Sequence, residues 1–214
     1  MLRVGLSIAR LRVSQADQDK WNQRYRDGAY SERTHASALL REWLPRLGSN
    51  SSAGLRAVDI ACGAGRNSLY LARRGWFVAA LDISQVALDR LAASAAEEQL
   101  PIVCTQVDLE AASPLPAALN GGRDFDLAMM MRYTNLALID DLKPLLKAGS
   151  HLMVELHLQS DADVVGPRNP EFRVAPGVLL EAADGLDILE YREGLVEEID
   201  GRVASLAQLI ARRN

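Results

Sequence analysis

The chain has 214 residues, 49% of them hydrophobic, enough for one substantial core and close to the length at which a single domain is expected. A formal net charge of -4 argues against a surface built to neutralise phosphates, which disfavours nucleic acid as a partner. No apolar run approaches the roughly 20 residues of a membrane-spanning helix; the richest, Phe125 to Met131, has the length of a buried strand.

Residues 1–20 read as a loose extension holding at most a short helix, with 21–214 as one domain. Arg3, Arg10 and Arg12 lie among apolar residues there, without the continuous apolar core or small-residue cleavage site of a leader. Thr34 to Leu44 places Leu39, Leu40, Trp43 and Leu44 on one helix face, and Pro45 limits its continuation. From Leu55 onward short apolar runs alternate with helical patterns, as when parallel strands are joined by crossover helices. Strands are predicted at Leu55 to Ile60, Trp76 to Leu81, Ile102 to Val107, Phe125 to Met131 and His151 to Leu158. Between them, Asn67 to Arg74 reads as a helix closed by Gly75. Ala87, Leu88, Leu91, Ala92 and Ala95 form the stripe of another, with Ser84 placed to cap it. Asn135 to Leu146 supplies a further helix before a turn at Lys147-Ala148-Gly149-Ser150. Gln159 to Pro176 lacks a hydrophobic period and is the longest loop of the core region, a place where function often lies. Two strand-like segments, Leu186 to Val196 and Val203 to Ala211, flank Asp200-Gly201, a dipeptide suited to a hairpin turn. The pattern is that of a doubly wound α/β fold. Cys62 and Cys104 show no metal-ligand spacing and read as free thiols of a reducing cytoplasm.

In Val58-Asp59-Ile60-Ala61-Cys62-Gly63-Ala64-Gly65-Arg66-Asn67 an apolar strand ends in an acid and then in two glycines that lead into a helix. Open α/β sheets bind ligands at the carboxyl ends of such strands. Gly63 and Gly65 let the backbone turn sharply and a ligand lie against it. Asp82 closes the next strand, where a carboxylate can accept hydrogen bonds from both hydroxyls of a ribose. Asp108, in Val107-Asp108-Leu109, ends the third and could accept from the amine of adenine, or cap the following turn. A nicotinamide dinucleotide also uses a glycine turn followed by an acid, but that fingerprint wants a third small residue where Ser68 stands, and no acid at Asp59. S-adenosylmethionine brings a methionine amino group, for which Asp59 is a sensible partner.

With these residues in order, the chain resembles the class I S-adenosylmethionine-dependent methyltransferases, and more narrowly the bacterial tellurite-resistance and thiopurine group. The resemblance runs from about Trp21 to Arg212 and includes Arg132-Tyr133, Pro167-Arg168-Asn169-Pro170 and Pro176-Gly177. It implies a seven-stranded, mostly parallel sheet with an antiparallel last strand. It implies that Trp21-Asn22-Gln23-Arg24-Tyr25 folds over the methionine end of the cofactor, bringing Trp21 and Tyr25 into contact. The turn would contribute Asp59, Ala61, Cys62, Gly63, Gly65 and Asn67; the later strand ends would contribute Asp82 with Ile83, Val107 to Leu109, and Arg132. Thr134-Asn135, Lys147 to Ser150 and His157 depart from the usual pattern, the first and last of them near the acceptor pocket.

Methyl transfer from a sulfonium needs the nucleophile and methyl group held in line, and neither a metal nor a covalent enzyme intermediate. Tyr133 and His157 are the candidates for orienting or deprotonating the acceptor, with Arg132 as a possible anion contact. The place after the fourth strand reads Met131-Arg132-Tyr133-Thr134, unlike the Asn/Asp-Pro-Pro-aromatic turn of adenine-amine methyltransferases. A small-molecule acceptor and a monomer or homodimer are therefore expected, with a nicotinamide-dependent oxidoreductase or a non-catalytic cofactor-binding module as the alternatives.

Overall fold

The hydrophobic runs that alternate with helical patterns form the strands of one sheet. In the computed structural model, residues 4–47, 54–111, 115, 118, 119 and 121–214 are described, with the backbone alone for 4–14. Strands β1 (Arg56–Ile60), β2 (Phe77–Asp82), β3 (Ile102–Gln106), β4 (Phe125–Met131), β5 (Leu146–His157), β6 (Asp187–Glu197) and β7 (Val203–Arg212) lie in the order β3-β2-β1-β4-β5-β7-β6. The first five are parallel; β7 runs antiparallel to both β5 and β6. The strand order reverses beside β1, which places a crevice between the carboxyl ends of β1 and β4.

Helices cover both faces, so the central strands are apolar on both sides. Along β4, Phe125, Ala128 and Met130 enter one core, while Leu127, Met129 and Met131 enter the other. Helix α1 (Val4–Arg26) precedes α2 (Ala38–Trp43), α3 (Arg66–Ala72) follows β1, and α4 (Gln85–Glu97) follows β2. The Ser84 hydroxyl accepts from the Ala87 N–H to cap α4, which buries Ala87, Leu88, Leu91 and Ala95 as its stripe predicts. Helix α5 (Ala137–Leu142) lies between β4 and β5, and α6 (Val178–Ala182) follows the long loop.

Four expectations are corrected. The extension is a continuous helix through residue 26, beginning at Val4, rather than loose chain. The helix predicted from Thr34 begins at Ala38, because the Ser37 hydroxyl accepts from the Leu40 N–H at 3.1 Å and sets its start. The helix predicted from Asn135 to Leu146 is confined to Ala137–Leu142, followed by a 3₁₀ turn at Lys143–Leu145 that contains Pro144. The turn predicted at Lys147 to Ser150 is part of β5: Gly149 N–H donates to the Arg213 carbonyl at 2.7 Å, and Arg213 N–H to the Ser150 carbonyl at 2.8 Å. Gly149 meets the bend with φ of +80°, and pairing with the chain's last strand outweighs the local turn signal.

Candidate active site

The turn after β1 is fastened to the tip of β2. Asp82, buried, accepts from Gly63 N–H at 2.7 Å through one carboxylate oxygen and from Ser84 N–H at 2.8 Å through the other. Burial pushes its carboxyl pKa up, and the N–H bonds from Ser84, Gly63 and Ile83 work against the rise. With three N–H groups on its two oxygens, one of four lone-pair positions stays open, enough to receive a hydroxyl. Gly65 has a φ of +78°, and a β-carbon there would collide with the Leu91 side chain, so only glycine lets α3 begin this close to α4. Ala61 holds a φ of +53°, a strained value for a residue with a β-carbon.

Asp59 lies beneath the turn. It is 1% exposed and accepts from the Ser68 hydroxyl at 2.6 Å. Burial pushes its pKa up to about 7, against the lowering effect of the Ser68 bond. Ser68, which does not fit the dinucleotide fingerprint, thus serves as this carboxyl's partner. Cys62 stands beside both acids; burial, then the charges of Asp82 and Asp59, raises its thiol pKa well above the ordinary value. Asn67 accepts through its side-chain oxygen from Ser37 N–H at 2.9 Å and pins the start of α2 to α3.

The aromatic segment reaches the turn from α1. The rings of Trp21, Tyr25 and Tyr30 stand 5.9 to 6.5 Å apart, and a β-carbon on Gly63 would collide with the Tyr25 hydroxyl. Tyr25 therefore covers the face of Gly63 on which a side chain would stand. Burial and the charge of Asp82 raise its pKa. Asn22, from the middle of that segment, holds it down by accepting from Ser84 Oγ at 2.9 Å and from Val86 N–H at 3.2 Å. Its partners lie 62 and 64 residues away, so nothing near Asn22 in the sequence signals the contact.

At the third strand end, Val107 N–H donates to the Asp82 carbonyl, and Gln106 Nε2 to the Ile83 carbonyl. Asp108 accepts from Glu110 N–H at 3.0 Å, the turn-capping contact that its position allows. Leu109 is buried in the core. Tyr133 comes to this side rather than to His157: its hydroxyl donates to Glu110, and Asn135 also reaches Glu110 at 3.3 Å. Burial and the Glu110 carboxylate raise the Tyr133 pKa, so the phenol keeps its proton.

Beyond β4, Arg132 adopts a φ of +66° and donates through Nε to Glu155 at 2.6 Å, with Nη2 3.1 Å from Glu198. Gln208 completes the Glu155 carboxylate at 2.6 Å. Glu155 is 1% exposed, and an acid inside the apolar run of β5 is the sequence signal for it. His157 is buried with Nδ1 unpartnered, enclosed by the Gly166 backbone. Burial, then the charges of Arg132, Arg173 and Arg33, drives its pKa down to about 3, which makes it a weak base.

Known proteins resemble the chain in its central region and in its fold. A methyltransferase domain family matches residues 57–152, which include the glycine turn, Asp82 and Asp108. Among solved structures, TehB from Haemophilus influenzae superposes with a TM-score of 0.66 at 23% identity, covering 87% of this chain and 66% of that one. Magnesium protoporphyrin IX methyltransferase from Synechocystis PCC 6803, solved with bound S-adenosylhomocysteine (SAH), gives 0.63 at 16% identity, covering 94% and 99%. A curated relative, Hemagglutinin 1 of Eikenella corrodens, is 37% identical over 76 residues, and the chain spans about a quarter of its length (24%). The chain thus matches a methyltransferase domain model over residues 57–152 and has the Rossmann-like fold of S-adenosylmethionine-dependent methyltransferases, TehB among the similar structures.

Proposed function

We propose that the chain is an enzyme that transfers a methyl group from S-adenosylmethionine to a small-molecule acceptor. The observation that carries this reading is the buried carboxylate of Asp82, fixed at the tip of β2 by Gly63 and Ser84 with a lone pair left for a ribose hydroxyl. The residues fit an adenosyl group: Asp82 would grip the sugar, Asp108 and Leu109 border the space for the base, and Tyr25 with Trp21 closes the methionine end. When bound, S-adenosylmethionine supplies a methyl on a positively charged sulfur, which departs as a neutral thioether while the methyl passes to a lone pair of the acceptor.

The chain's own part is to hold and to exclude. Tyr25, lying on Gly63, has to shift or turn as the cofactor enters, and the contact of Asn22 with the start of α4 is the anchor about which that segment moves. The clustered rings then shed water from the reacting groups. Neither Tyr133, which keeps its proton, nor His157, which resists gaining one, is suited to general-base catalysis as placed. An acceptor that arrives as a ready nucleophile fits this site.

Isothermal titration with SAH tests the reading. The intact protein is expected to bind it, and Asp82→Ala to weaken binding by about 1.5 to 3 kcal/mol, the worth of hydrogen bonds to a charged group. Unaltered affinity in that variant would exclude Asp82 from the site; binding of NADH in place of SAH would restore the oxidoreductase alternative. Release of SAH in an acceptor screen separates an enzyme from a silent binding module.

A further inference from the structure

A pocket of about 520 Å³, counting its open mouth, abuts the glycine turn across the carboxyl ends of β1 and β4. Arg33 from the α1–α2 connection, Arg66 at the start of α3 and Arg132 after β4 converge on it. The two carboxylates set back from its surface, Glu155 and Glu198, are both taken by Arg132, from Nε at 2.6 Å and from Nη2 at 3.1 Å. Glu32, Glu197 and Asp200 are exposed to water, which screens them, and Asp200 is paired with Arg202. Ala36, Ala38, Val196 and Ile199 supply apolar lining.

Inside, three guanidinia meet two carboxylates, Glu155 and Glu198, which leaves one positive charge over. The arginines also hold the open donors. Arg132 Nη1 is buried without a hydrogen-bond partner. Arg66 donates to the His35 carbonyl at 3.0 Å and forms no ion pair among the described residues. Arg33 forms none among them either and stands over the Tyr30 ring. Burial, then the charge of Arg132, lowers the Arg66 pKa, against the opposing charges of Glu155 and Glu198. A buried donor left open is costly unless a ligand completes it, and a single excess charge calls for a monoanion.

We propose that this pocket binds a monocarboxylate with a short apolar body, held by Arg66 and by Nη1 of Arg132, and that a carboxylate oxygen is itself the methyl acceptor, giving a methyl ester. The assignment rests on the methyltransferase reading for the transfer, but not for binding. A planar guanidinium fork matches a carboxylate. Of the four lone-pair positions on the two oxygens, Arg66 can fill two and Arg132 one, so one remains for the methyl carbon. The new bond joins that oxygen to the methyl carbon; the bond from that carbon to sulfur breaks, and its electron pair stays on sulfur. Carboxylate and sulfonium become a neutral ester and a neutral thioether. No proton moves, so the step does not need the base that neither Tyr133 nor His157 supplies. The ester has lost the charge that held it to the guanidinia, which favours its release. A phenol or an ammonium group would have to shed a proton first, and a phosphate dianion would exceed the single charge.

The test titrates butyrate, hexanoate and benzoate calorimetrically into the full chain at pH 8, with and without saturating SAH, each beside the amide and the phosphonate with the same body. At least one carboxylate is expected to bind about tenfold or more tighter than both of its analogues, the worth of a charged hydrogen bond. Arg66→Gln is expected to weaken that carboxylate by a similar factor, and Arg33→Gln, which removes charge alone, by about threefold. With methyl-labelled S-adenosylmethionine, the carboxylate is expected to carry label that mild alkali releases as methanol, the mark of an ester. An amide or phosphonate that binds as tightly as its carboxylate, Arg66→Gln and Arg33→Gln variants that both bind the carboxylate unaltered, a set in which no carboxylate binds, or no alkali-labile label in a chain that binds SAH would each overturn the proposal. Carboxylate binding by a chain that fails to bind SAH would keep this pocket and sink the methyltransferase reading instead.

Discussion

Replacing Asp59 by Asn should abolish one component of the protein's pH dependence and leave its shape. Asp59 is 1% exposed, is bonded to Ser68 at 2.6 Å, and has a folded pKa of about 7 against 3.8 for the free side chain. A carboxyl with a raised folded pKa keeps in the native state a proton that the unfolded chain has already lost. Its contribution therefore favours folding at low pH and is withdrawn as pH climbs from about 4 to about 7. The window covers about three pH units at a factor of ten each, or about 4 kcal/mol as an upper bound. Relaxation around the ionised group would leave about 2 kcal/mol as the working expectation. His157 acts in the opposite sense over an overlapping window: its folded pKa, lowered to about 3, makes stability grow as pH rises towards the free value of 6.5. The useful quantity is thus the difference between variant and wild type, from which His157 cancels. Urea unfolding followed by tryptophan fluorescence at pH 4.5 to 8.5 measures it. Asp59→Asn is expected to match the wild type at the acid end and to be the more stable protein at the alkaline end. A difference that stays flat within about 0.5 kcal/mol over this range would refute the burial argument for Asp59.

Ala61→Gly should stabilise the protein by about 0.5 to 1 kcal/mol, because it relieves a left-handed residue while giving back part of the gain as unfolded-chain entropy. A rise in melting temperature of a few degrees checks it, and a fall would show that the Ala61 methyl makes compensating contacts. Arg132→Met should cost about 3 to 5 kcal/mol at neutral pH, since it strands Glu155 in the interior, and adding Glu155→Gln should recover most of that loss. Loss of less than about 1 kcal/mol by the single variant in denaturant titration would mean that water reaches Glu155.

The residues whose meaning depends on near neighbours were legible before any coordinates. Asp59 to Gly65 announced a strand, an acid and a glycine turn within seven positions, and Asp82 stands where the next apolar run ends. Strand alternation and the α4 stripe are likewise local, since backbone geometry sets their periods of two and 3.6 residues. The same reasoning failed at Lys147 to Ser150, where a turn signal was overridden by pairing with Arg213, and it did not reach the partners of Asn67 and Tyr133, since Ser37 and Glu110 are 30 and 23 residues away. Tertiary structure alone decided the convergence of Arg33, Arg66 and Arg132 with Glu197, Glu198 and Asp200 and the Arg132–Glu155–Gln208 chain, the last bond of which joins residues 53 positions apart. Which carboxylate a buried arginine meets follows from the order of strands in the sheet, and that order is set by how the whole chain buries its two apolar faces rather than by any short stretch of it.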